Sequence, residues 1–147
     1  VAVDRTLLGV LPETVDGLAV DYDPQASAET AADPTLAATT EAIAYAIAAT
    51  ADSDFAVAAV TRPRAGLFDD AFFRSWRDSF DTGACEPAGG VAGHAQALID
   101  GRTVFITTCG GGLVVHHTFL RNRRLLVSVS SLGERRLGEK LVATLRD

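Results

Sequence analysis

Asp100-Gly101 stands between two runs that read as strands, and this dipeptide constrains the chain more than any other feature. A type I′ turn needs positive φ at both central residues, which Asp and Gly accept. The turn pairs Ile99 with Arg102, and therefore Ala97 with Val104 and Ala95 with Ile106. Two further turns extend the pattern, Gly110-Gly111-Gly112 and one around Asn122. They divide the second half into four expected strands, Val91–Ile99, Arg102–Cys109, Leu113–Leu120 and Arg124–Ser131. The Asp100-Gly101 register also sets Cys109 against Ala92, and pairing Cys109 with Leu113 sets Ile106 against His116. Pairing Arg121 with Arg124 sets Leu120 against Leu125 and His116 against Val129.

Side chains alternate between faces with a period of two, so the register assigns every residue to a side. One face collects Ala95, Ala97, Ile99, Val104, Ile106, Val114, Leu120, Leu125, Val127 and Val129, with His116 among them. It is almost wholly apolar and should meet the helices. The opposite face carries His94, Gln96, Leu98, Phe105, Thr107, Val115, His117, Phe119, Leu126, Ser128 and Ser130. There Gln96 opposes Phe105, Phe105 opposes His117, and His117 opposes Ser128. His94, Gln96, His117 and Ser128 thus gather around Phe105. A few polar groups on an apolar floor suit a shallow ligand pocket. A half-solvated antiparallel sheet carries the same mixture.

Helices are expected in three places. Asp33-Pro34 offers an N-cap and a first-turn proline, so Pro34 to about Ala51 reads as a helix with Leu36, Ile43, Ala46 and Ile47 on one side. Phe68, Phe72, Phe73, Trp76 and Phe80 share one face of a helix over about 68–80, an aromatic stripe that reads as core. Ser131-Leu132-Gly133-Glu134 resembles a capping box before a last helix bearing Leu137, Leu141, Val142 and Leu145. Phe55 to Thr61 reads as a strand, and residues 1–26 as an irregular arm. The whole predicts one α+β domain over 1–147, an antiparallel meander of four to five strands packed on one face by about three helices.

Composition narrows the class of partner. The 147 residues carry a net charge of −6, against the phosphate neutralisation that a dedicated nucleic-acid binder needs. That charge is divided: residues 1–81 hold 14 acidic and 5 basic side chains, residues 82–147 hold 5 and 8. Arg121, Arg123 and Arg124 cluster at a hairpin tip, where an acidic partner could dock or the acidic half could pair. The longest mildly apolar run, Ala42 to Ala51, is about half of the ~20 residues a membrane span requires. Methionine is absent, so the chain is expected to be a processed or excised product. Abundant alanine, with Lys140 the single lysine among 13 basic residues, looks like a high-GC bacterial genome. The two cysteines, Cys85 and Cys109, can meet if the Gly-rich stretch after Cys85 folds back. A disulfide between them would place the domain outside the cytoplasm. Neither a Cys-x-x-Cys pair nor a histidine cluster offers a metal site, and no cofactor motif stands out.

One motif carries an enzymatic implication. Asp81-Thr82-Gly83-Ala84 resembles the active-site tetrapeptide of retroviral-type aspartic proteases, small homodimers in which each subunit supplies one aspartate. The resemblance implies an enzyme using Asp81, and covers four residues. In that family an apolar strand leads into the tetrapeptide, whereas here an aromatic helix does. Gly110-Gly111-Gly112 precedes no helix and reads as a flexible turn rather than a phosphate loop. The expected function is non-enzymatic binding of a small ligand or a protein partner by a secreted or lipoprotein-like domain, at His94, Gln96, Phe105, His117 and Ser128.

Overall fold

The computed structural model describes all of residues 1–147. Its elements run β1 (Ala2–Val3), β2 (Thr14–Val15), β3 (Leu18–Ala19), β4 (Asp21–Tyr22), α1 (Pro24–Ala31), β5 (Thr40–Ala49), β6 (Phe55–Pro63), α2 (Asp70–Cys85), β7 (Val91–Ile99), β8 (Arg102–Cys109), β9 (Val114–Leu120), β10 (Leu125–Leu132) and α3 (Leu137–Val142). Single 3₁₀ segments cover Arg5–Val10, Pro34–Leu36 and Glu86–Ala88. The class is α+β, but the sheet is larger than the expected meander. Eight strands form one sheet in the order β1-β5-β6-β10-β9-β8-β7, with β4 also on β5. The β1–β5 pair is parallel, so the sheet is mixed.

The meander register is as the turns predict. Asp100 and Gly101 take φ of 49° and 76°, and Ile99 faces Arg102. Phe105 faces His117, and His117 faces Ser128. One pairing departs: a bulge between Val91 and Gly93 sets Cys109 against Val91 instead of Ala92.

The expected helix over 34–51 is instead a short 3₁₀ turn followed by β5. Alanine is the best helix former, but tertiary packing overrides propensity. Ala42, Ala44, Ala46 and Ala48 point to one side and are buried, while Ile43, Tyr45 and Ile47 point to the other. That is the period of a strand. The helix start lies ten residues earlier, inside the stretch read as an irregular arm. Asp23 caps α1 through Ala26 N–H at 2.9 Å, with Pro24 in its first turn. Asp33-Pro34 repeats the same signal but caps only a 3₁₀ turn.

Helices cover both faces of the sheet rather than one. The small alanines of β5 admit Leu7 and Val10 of the first 3₁₀ segment and the following Leu11, and join Val104, Leu120, Val127 and Val129 in the main core. Leu137, Leu141 and Val142 of α3 and the following Leu145 complete it. The expected capping box is absent, because Ser131 and Leu132 belong to β10 and Arg136 precedes α3 without a side-chain cap. On the other face α2 lies across β7, β8 and β9, and α1 lies against β5. Phe68 stacks on Phe119 with ring centroids 3.7 Å apart, and Phe73 meets Phe105 at 5.0 Å.

The edge at β5 is closed by hand-over from one element to the next. β1 pairs with Ala42 and Ile43, and β4 with Ala46 and Ile47. Between them the buried Ser27 hydroxyl accepts the Tyr45 N–H at 2.9 Å, and Asp23 N–H donates to the Tyr45 carbonyl at 2.9 Å. At the far end Cys85 and Cys109 form the expected disulfide, with Cα atoms 5.1 Å apart and both residues buried. The glycine triplet packs beside it. A Cβ on Gly110 would stand 2.7 Å from the Gly89 carbonyl oxygen, and Gly111 N–H donates to the Ala88 carbonyl at 2.7 Å. The triplet is therefore a backbone contact that only glycine permits at Gly110.

Candidate ligand cleft and its polar neighbour

Of the five residues expected to form one pocket, His94, His117 and Ser128 enter a polar chain, Phe105 lines an open cleft beside it, and Gln96 joins neither. At one end a buried polar chain fills the space between α2 and the sheet. The His117 Nε2–H donates to Asp81 Oδ1 at 2.6 Å, and His117 Nδ1 lies 2.8 Å from the Ser128 hydroxyl. The Thr107 hydroxyl donates to Asp81 Oδ2 at 2.6 Å, and its oxygen accepts from His94 Nδ1 at 3.2 Å. Asp81, Thr107, His117 and Ser128 are each at most 2% exposed, whereas His94 reaches the surface. Gln96 is exposed and takes no part.

This series contains the residue types of a hydrolytic triad in an unsuitable arrangement. In such triads the carboxylate holds Nδ1 and the nucleophile meets Nε2. Here the two nitrogens are exchanged, and the Ser128 hydroxyl is sealed from solvent. Burial of a carboxylate is expensive unless it is paired and hydrogen-bonded, and both Asp81 oxygens are satisfied. The chain therefore fastens the C-terminal half of α2 to β8, β9 and β10. Asp81-Thr82-Gly83-Ala84 lies in the last turns of that helix.

The other end is open. A cleft of about 630 Å³ separates the N-terminal half of α2 from the tips of the β7–β8 and β9–β10 hairpins. Phe68, Phe73, Phe105 and Phe119 form its apolar wall. Arg74, Arg77, Arg102 and Arg121 surround it, against Asp70 and Asp147. Arg77 lies over the Phe105 ring at 5.4 Å and pairs with Asp78 at 3.1 Å. Arg102 donates to the Leu145 carbonyl at 3.0 Å and stands 3.5 Å from Asp100. Arg74 and Arg121 are exposed and form no ion pair. Of the expected residues, Phe105 alone lines this cleft. The arginines escaped the sequence reading because α2 and two hairpin tips converge only in three dimensions. The available signal was the i, i+3 spacing of Arg74 and Arg77 beside the aromatic stripe.

A smaller recess of about 210 Å³ lies on the opposite face, between β8, β9 and α3, and includes His116, Ser131, Arg136 and Glu139. His116 is 6% exposed and its Nδ1 has no hydrogen-bond partner. Burial holds its pKa down to about 4, against the opposing pull of Glu139 and with added repulsion from His117 and Arg136. The ring is neutral at pH 7.

The fold and cleft define an α+β domain with a basic, aromatic-walled recess at one end of a disulfide-tied sheet. Compared with protein-family models, curated proteins and solved structures, the chain finds no match. The side chains contain no cluster of three or more His, Cys, Asp or Glu that could hold a metal ion. No helix is long and apolar enough to cross a membrane.

Proposed function

We propose that the chain is a non-enzymatic extracytoplasmic domain that binds a small anionic ligand with an aromatic or other apolar part in the α2 cleft. The observation that carries this reading is the pairing of four arginines with four phenylalanines around one open space. Its volume lies within the range of ligand sites, roughly 300–1,000 Å³. Arg74 and Arg121 are free to pair with a ligand, and a guanidinium can hold a carboxylate or phosphate through two parallel hydrogen bonds. The disulfide supports an oxidising compartment. The aspartic-protease reading finds little support, because Asp81 is buried in a helix with both oxygens engaged.

The test is titration with 1-anilinonaphthalene-8-sulfonate, an aromatic anion, and with neutral naphthalene methanol as its uncharged counterpart. The anion should bind more tightly, and its affinity should fall as salt is raised. Arg74→Glu combined with Arg121→Glu should weaken it at least about tenfold, or about 1.4 kcal/mol. Equal affinity of that double variant and the parent protein overturns the site.

A further inference from the structure

The two edges of the sheet are treated differently. The β5 edge is shielded by β1, Ser27 and β4, whereas β7 has β8 as its sole strand neighbour. The Asp100-Gly101 turn makes Ile99–Arg102 a hydrogen-bonded pair, so Ala97 and Ala95 also direct their backbone groups toward β8. His94, Gln96 and Leu98 consequently direct N–H and C=O away from the sheet. Natural edges are blunted by charge, proline, a bulge or a covering element. The one bulge of β7 lies between Val91 and Gly93, at its first end, and leaves residues 94–99 regular. The nine residues of β7, Val-Ala-Gly-His-Ala-Gln-Ala-Leu-Ile, contain neither a formal charge nor proline. Leu98 is 77% exposed and Val91 44% exposed.

We propose that β7 pairs antiparallel with β7 of a second copy of this chain, about a two-fold axis at Ala95, so that the two sheets become one. The occupant is identified by self-complementarity. Centring on Ala95 sets Gln96 against the His94 of the second copy, so outward-facing backbone groups meet outward-facing backbone groups. The same register brings Leu98 beside Ala92 of the second copy, where the bulge ends the regular pairing, and covers part of its exposed side chain. Asp100 falls opposite Gly90, beyond the strand, so no like charges meet despite the net charge of −6. A C₂ contact of this kind uses one patch twice and closes on itself.

The test is light scattering and sedimentation of the intact, oxidised protein up to about 1 mM, the weak end of measurable association. The expected result is a monomer–dimer equilibrium. Hydrogen exchange at His94, Gln96 and Leu98 should slow as concentration rises, while Ala95 and Ala97 stay protected throughout. Gln96→Pro removes an outward N–H that β8 does not use, so the monomer should fold and bind 1-anilinonaphthalene-8-sulfonate as before. Its dimer should weaken at least tenfold. Gln96→Lys, which adds like charge at the seam, should weaken it further at low salt. A monomer over the whole range overturns the proposal, as does a dimer indifferent to both variants. Protection of these amides only on adding an unrelated extended peptide also overturns it, in favour of a foreign strand.

Discussion

His117 Nε2 and Asp81 Oδ1 lie 2.6 Å apart with both side chains buried, and this pair joins α2 to the middle of β9. Removing one partner of a buried pair leaves the other without compensation. His117→Ala should therefore destabilise the fold by about 3–5 kcal/mol. Asp81→Asn retains an acceptor for the Nε2 proton and should do less harm. Urea denaturation of the two variants beside the parent protein measures the difference.

Acid should weaken the fold through His116. Its folded pKa of about 4 lies below the ordinary 6.5, so the unfolded chain takes up the proton first. The neutral ring's contribution is complete above pH 6.5 and is lost as pH falls toward 4, by roughly 3 kcal/mol at most. Asp4, Asp16 and Asp33 have pKa values below the usual 3.8, so their losses begin at lower pH. Melting temperature followed from pH 7 to pH 4 should decline, and His116→Gln should flatten the decline.

Reduction of Cys85–Cys109 should be tolerated but felt. The bridge spans a sequence separation of 24, for which loop-closure entropy suggests about 3 kcal/mol. Denaturation with and without reductant, and of the Cys85→Ala/Cys109→Ala variant, should agree on that loss. Asp81 lies one turn away and should keep α2 seated, so the far-ultraviolet spectrum should not change.

Ser27 contributes through one hydroxyl. It is fully buried, accepts the Tyr45 N–H and donates to the Asp23 carbonyl at 2.7 Å. Ser27→Ala leaves a buried N–H unpaired and should cost about 1–3 kcal/mol. Hydrogen exchange at Tyr45 should accelerate selectively.

The meander was readable because two-residue and glycine-rich turns leave one register open, and the pairings around Phe105, His117 and Ser128 followed from it. β5 was misread because alternating alanine and isoleucine satisfies both a helical and a strand period over a few turns. What decided it was β6, whose Val60 and Ala58 pair with Ala44 and Ala46 from outside the window. Capping chemistry located a helix start at Asp23 as well as Asp33, but nothing local ranks the two. The sheet faces were assigned correctly, yet the role of the mixed face was not. Asp81 arrives there on a helix, turning His117 and Ser128 inward and leaving the arginines to define the open end.

The neighbourhood of β6 and β10 has a consequence for how the chain reaches this arrangement. β5 with β6 is a local hairpin, and β7 through β10 is a local meander that already carries α2. Only the junction of Thr61 with Leu126 and its neighbours joins the two sets across the length of α2 and the meander. The entropy of closing that long segment falls on a single strand pair at the centre of the sheet. Folding speed should therefore respond most to substitutions along this seam, such as Val60→Ala or Val127→Ala. The hairpin tips, where the ligand cleft lies, are free to vary without slowing it.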